Sequence, residues 1–115
     1  MVLYNQGINK IRDEIAAVLD TGQLGRDGSE VVVNGTTIID PITGTDKTLT
    51  VTTMNKGINT EFQTTAGDGS GNSAREFVIT HDDATVMSRC SFPEVTLQAT
   101  TVVTVKTQWL FIQEL

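Results

Sequence analysis

Three short stretches of the chain hold residues whose types and spacing could do chemistry. The first is AGDGSGNS at 66–73, where Asp68, Ser70 and Asn72 stand at alternate positions, as in the opening of a calcium loop. That pattern then breaks. Ser73 stands where the loop needs glycine for its sharp turn, and Ile79 stands where a bidentate glutamate would close the shell. The stretch reads first as a hairpin tip, with ion binding by Asp68–Asn72 left open. Its glycines do not make a nucleotide site either: G-x-G-x-x-G matches nowhere, no Gly-Lys-Ser/Thr occurs, and the loop does not precede a helix. The second stretch is His81-Asp82-Asp83, which offers too few partners for zinc and no nucleophile for a triad; Asp in such a position caps its own backbone, so a turn is expected. The third is Cys90, the only cysteine, which cannot form an internal disulfide. Between Arg89 and Ser91 it is expected to be a small buried hydrophobe of a strand, since a catalytic thiol needs a positioned base. No acid, base, nucleophile and oxyanion set assembles from these residues. A non-enzymatic protein without cofactor or metal is the expectation.

The elements that would position these residues are read from periodicity. Ile8, Ile11, Ile15, Val18 and Leu19 recur at three- and four-residue steps, which predicts a helix with one apolar face. Asn5 is its expected N-cap and Gly22 its left-handed stop. A helix of roughly 15 residues is marginal alone, so that face must dock on the sheet that follows. Gln23 to Ser29 reads as a loop. In VVVNGTTII, Asn34-Gly35 separates two β-branched runs and predicts a hairpin. Leu49 and Val51 alternate with threonines, and Ile58, Thr60 and Phe62 repeat the alternation after Asn55-Lys56-Gly57, which predicts a second hairpin with one apolar face. AREFVITH leads through the His81–Ala84 turn to TVMSRCSF, where Pro93 is expected to end the strand.

The stretch from Thr100 to Glu114 predicts a long last strand. Val103, Val105, Thr107, Trp109 and Phe111 share one side, while the other side turns apolar only at Leu110 and Ile112. A 115-residue sandwich has one core, so one of these faces must be covered by the helix or by another subunit. Trp109, Leu110, Phe111 and Ile112 are therefore the candidate subunit interface, since interfaces favour aromatic anchors.

Composition bounds the rest. Nineteen threonines, nearly all after residue 35, favour sheet because a β-branched side chain packs well on a pleated surface. The net charge is −6, and eight scattered Lys and Arg make no footprint for phosphates, which argues against nucleic acid as partner. No basic region followed by an apolar run opens the chain, and no apolar run is long enough for a membrane span, so a soluble product made in the cytoplasm is expected. The expected fold is mainly β: one domain over 1–115, with an N-terminal helix in 1–22 and an antiparallel β-sandwich of about six to eight strands in 30–115.

Two stretches resemble small virion proteins of tailed phages, often encoded among tail and baseplate genes. In 5–29 the likeness is a helix followed by a G-Q-x-G-x-x-G turn, carried by Gly22, Gln23, Gly25 and Gly28. In 74–95 it is carried by Glu76, Phe77, Asp82, Thr85, Met87, Arg89 and Phe92, with Val78 where the pattern usually has glycine. The resemblance implies a structural subunit located in the virion, working as a symmetric homo-oligomer among other virion proteins. It leaves open a tail, baseplate or connector component, a capsid decoration protein or a fibre adaptor. A small sandwich that binds a ligand is the rival outside that class.

Overall fold

The first element is a helix, α1, over Asn5–Ala16, in the computed structural model, which describes residues 1–113. Seven strands follow: β1 Leu19–Gly25, β2 Lys47–Thr48, β3 Thr50–Met54, β4 Gly57–Gln63, β5 Ser73–His81, β6 Val86–Thr96 and β7 Thr104–Leu110. They form two antiparallel sheets, one in the order β2-β1-β5-β6 and the other β3-β4-β7. The chain passes between the sheets at Leu49, whose amide donates to the Asp20 carbonyl at 2.9 Å while its side chain enters the core. That crossing joins the sheets along one side. On the other side, β6 and β7 are both edge strands.

The alternation that predicts the β3–β4 hairpin is realised in register. Met54 pairs with Gly57 across Asn55-Lys56, and Lys56 takes the positive φ of +55° that this tight connection demands. Ile58 and Phe62 face inward from β4 and are fully buried, against Leu24 of β1 and Phe77 and Ile79 of β5. The rings of Phe62 and Phe77 meet at 5.0 Å between centroids in a tilted pair; each such side chain stabilises the fold by about 1.5–3 kcal/mol through burial. Threonine serves inside as well as outside. Thr64 Oγ1 accepts from the Val103 amide at 2.8 Å, and Thr45 Oγ1 accepts from the Leu24 amide at 3.2 Å while donating to the Ile42 carbonyl at 2.8 Å. A buried hydroxyl is tolerable only when bonded in this way.

The helix docks on β3 and β4 through part of its expected apolar face: Ile8 is buried and Ile15 half-buried against the core, whereas Ile11 stands exposed and Val18 and Leu19 lie beyond the helix. Polar residues fix its position. Asn9 Oδ1 accepts from the Lys56 amide at 2.8 Å, and Arg12 Nη1 donates to the Met54 carbonyl at 2.7 Å, both at the hairpin end.

Several sequence expectations are corrected. Tyr4, not Asn5, is the N-cap, and the helix ends at Ala16 rather than reaching Gly22. Gly22 lies in β1 with Gln23 and Gly25, so the sheet begins at Leu19 and not at residue 30. Gly22 is there for space: a Cβ would stand 2.7 Å from the rings of Phe62 and Phe77. The Asn34-Gly35 hairpin does not form. The Gly35 amide bonds the Val32 carbonyl in a turn, but no ladder flanks it, and Val31, Val32 and Val33 are exposed. Pro93 does not end its strand. β6 runs on to Thr96 because Pro93 sits on an edge strand, inside a bulge where the pairing shifts between Ala74–Val95 and Glu76–Ser91, so its missing N–H breaks no regular rung. The last strand is shorter than predicted, ending at Leu110; its expected end at Glu114 lies outside the described residues.

The two kinds of glycine separate in a stability measurement. Gly22→Ala overpacks the Phe62–Phe77 contact and should cost about 1–3 kcal/mol. Gly7, on the helix with open space around its Cα, should gain roughly 0.5–1 kcal/mol on replacement by Ala. Urea unfolding of both variants checks this; equal shifts of the same sign would contradict the packing described.

Candidate functional site

The outer face of the four-stranded sheet carries a buried carboxylate. Glu76 of β5 has no solvent exposure. Its Oε2 accepts from the amides of Asp27 at 2.9 Å and Asp40 at 3.0 Å, and its Oε1 accepts from the Ile39 amide at 2.9 Å and from Arg89 Nε at 3.0 Å. Arg89, on the neighbouring strand β6, also donates to the carbonyls of Asp27 at 3.0 Å and Ser29 at 3.2 Å. One ion pair thus ties down both ends of the connection between β1 and β2, which contains no regular strand of its own. Gly25 makes room for it, since a Cβ there would stand 2.5 Å from the Glu76 carboxylate. The pair Arg26–Asp40, at 3.0 Å and in solvent, bridges the same two ends. Burial alone would push the Glu76 carboxyl up. The three amides and Arg89 outweigh it and hold the group below the usual glutamate range. The two stretches that carry the resemblance therefore meet in space, Gly25 against Glu76, and their contact is one of packing and charge compensation.

The sequence candidates for chemistry are occupied with structural bonds, and the loop at 66–73 is not the expected hairpin tip but the passage from β4 in one sheet to β5 in the other. Asp68 accepts from Lys47 Nζ at 3.0 Å and from the Thr65 amide at 2.7 Å, and the Lys47 contact is the main reason its carboxyl lies below the ordinary range. Asn72 accepts from Arg26 at 2.6 Å and donates to the Gly69 carbonyl at 2.9 Å. His81 to Ala84 is a turn, as expected: the Ala84 amide bonds the His81 carbonyl at 2.9 Å, and the Asp83 amide donates to His81 Nδ1 at 3.0 Å. Asp83 accepts from the Thr85 amide at 2.9 Å, and its hydrogen bonds to Thr85 hold its carboxyl down. Among the described residues no three His, Cys, Asp or Glu side chains converge as metal ligands would. Cys90 is exposed rather than buried, because β6 is an edge strand and Cys90 faces the open seam between the sheets. Partial desolvation in that seam outweighs the charge of Arg89 and pushes the thiol up, so it stays protonated.

The candidate interface residues divide by face. Trp109 and Phe111 are half-buried against the core, while Leu110 and Ile112 are 54% and 79% exposed. The helix stands beside them without covering them. Leu3 and Ile11, both exposed, share with Leu110 and Ile112 a depression of about 260 Å³. Gln113 holds the N-terminal arm to this end, its side chain exchanging two hydrogen bonds with the backbone of Leu3 at 3.1 and 2.8 Å. From Leu110 the apolar surface continues into the seam between β6 and β7, a groove of about 380 Å³ floored by Phe77 and Ile79. At Met87 the groove meets a third depression, of about 350 Å³, lined by Val31–Val33 and Ile39. The three depressions are contiguous along one flank, the groove sharing Met87 with one and Leu110 with the other.

No protein-family model, no curated protein and no solved structure matches this chain. The sequence does not reveal the role of Glu76. With Arg75 directly before it in the strand nothing local marks Glu76 as buried, and its amide donors lie some 35 to 50 residues away.

Arg89→Ala leaves that buried carboxylate without its cation and should cost about 3–5 kcal/mol. The sign with pH is fixed by the depressed folded value: the contribution of Glu76 is complete above the ordinary glutamate range and disappears as pH falls through the folded value. Removing Arg89 raises that folded value, so acid unfolding followed by circular dichroism should begin at higher pH in the variant. An unchanged acid midpoint would contradict the role given to the pair.

Proposed function

We propose that this chain is a non-enzymatic structural subunit of a tailed-virus particle, packing as a symmetric oligomer in the tail, baseplate or connector region. The observation that carries the reading is the apolar flank, above all Leu110 and Ile112 standing exposed beside Leu3 and Ile11. Four large apolar side chains clustered on an acidic domain cost solubility unless another protein covers them. A repeated subunit covers such a patch by closing a ring, each copy presenting the same contact. Trp109 and Phe111 lie directly beneath, so the exposed pair is backed by a rigid core rather than a mobile loop. The likeness to phage virion proteins supplies the kind of particle. The residues that carry it, Gly25, Glu76 and Arg89 among them, hold the shape of one domain, which is the role a structural subunit requires.

Leu110→Lys with Ile112→Lys tests this. Light scattering across a range of protein concentrations should show an oligomer for the natural chain and a monomer for the variant, with the β signal in circular dichroism unchanged. Mass spectrometry of purified particles should find the chain. A natural chain that is strictly monomeric at high concentration and absent from particles would overturn the proposal.

A further inference from the structure

The open seam between β6 and β7 lacks one strand, and the chain carries an unpaired segment with the properties of that strand. We propose that residues 30–34 of one copy, with the Val32–Gly35 turn opened, add to the free edge of β7 in the next copy, head to tail. The inference rests on the oligomer proposed above and names its contact.

The edge is defined by the ladder on its other side. The Phe111 amide donates to the Lys56 carbonyl, and the Val103 carbonyl accepts from the Thr64 amide, both toward β4. Successive residues of a strand turn their main-chain groups to opposite sides, so Val103, Val105, Thr107, Trp109 and Phe111 serve β4. Thr104, Lys106, Gln108 and Leu110 then direct their N–H and C=O groups outward, where no further strand stands. Backbone groups at such an edge are matched in full only by another extended backbone.

The donor is defined by what holds it. The Ser29 carbonyl is bound to Arg89 and the Ile39 amide to Glu76. Between these anchors, the only hydrogen bonds among the described residues stay within the segment, from Gly35 to Val32 and from Thr37 to Ile38. Three consecutive valines here favour extended backbone, and they are 44%, 60% and 108% exposed. Charge sets the register. Lys106 lies on the outward face of β7, opposite Glu61 of β4. With Glu30 beside Lys106, alternation directs Val31 and Val33 inward over the groove floored by Phe77 and Ile79, and Val32 outward. The segment and the edge are different surfaces of one chain, so the contact is heterologous and repeats until it closes.

The test uses the full chain in light scattering, with circular dichroism as the check on folding. Gln108→Pro removes an outward N–H, along with the exposed side-chain bonds of Gln108 to Asn59 and Met54, and should abolish the oligomer. Gln108→Ala, which loses only the side chain, should keep it. Val31→Lys with Val33→Lys should abolish it from the donor side. Neither Gln108→Pro nor that double variant should self-associate, but mixing the two should give a dimer, since the first keeps its donor and the second keeps its edge. Lys106→Glu should weaken assembly at least tenfold, and adding Glu30→Lys to it should restore it. An oligomer that survives all of these changes would overturn the strand exchange while leaving the subunit proposal standing. A dimer absent from the mixture, with both variants folded, would also overturn it. If the natural chain is monomeric at every concentration and absent from particles, both proposals fall together.

Discussion

A carboxylate with no access to water governs the architecture on one whole side of this protein. Moving Glu76 out of water carries a penalty of several kcal/mol unless its charge is matched and its lone pairs are filled. Four donors do this, and three of them are amides of a connection that has no strand of its own to keep it in place. The dependence is mutual. The connection is ordered because the carboxylate requires its amides, and the carboxylate is tolerated because the connection covers it. Arg89 joins the two by bonding Glu76 with its Nε and the carbonyls of Asp27 and Ser29 with its remaining nitrogens, a geometry a lysine does not supply.

From that constraint the layered build follows. The inner face of the four-stranded sheet packs on the three-stranded sheet through Phe62, Phe77 and their neighbours, and the outer face is roofed by the connection. Because the connection is pinned only at its two ends, its middle projects with Val31–Val33 uncovered. Because Leu49 closes one side of the sandwich, the other side remains open between β6 and β7. The exposed valines, the open seam and the bare strand end at Leu110 and Ile112 are therefore consequences of one design, and all fall along the same flank.

Local periodicity made much of this legible in the sequence. The mainly β class, the β3–β4 hairpin, the His81–Ala84 turn and the docking helix all rest on spacing within about ten residues, which the sequence displays directly. The misreadings have a common physical cause: tertiary context decided against a local signal. Gly22 looked like a helix stop, yet its lack of a side chain serves two phenylalanine rings distant in sequence. Asn34-Gly35 does make a turn, but the Ser29 carbonyl and the Ile39 amide on its two sides bond Arg89 and Glu76 instead of pairing across a ladder. A strand end at Pro93 and a buried Cys90 are the local expectations, whereas β6 is an edge, where proline is harmless and cysteine is exposed. The split of the C-terminal strand into a core side and a bare side was visible from alternation alone.

The dependence of the connection on Glu76 is tested most directly by amide hydrogen exchange, read residue by residue by NMR, in the natural chain and in Glu76→Gln. A glutamine offers one acceptor oxygen and sets an NH₂ group against the remaining donors. The amides of Asp27, Ile39 and Asp40 should be protected together in the natural chain. In the variant they should lose protection together, while those of β4 and β7 keep theirs. Protection at Asp27, Ile39 and Asp40 that survives the substitution, or is lost uniformly across both sheets, would contradict the part given to that carboxylate in holding the connection.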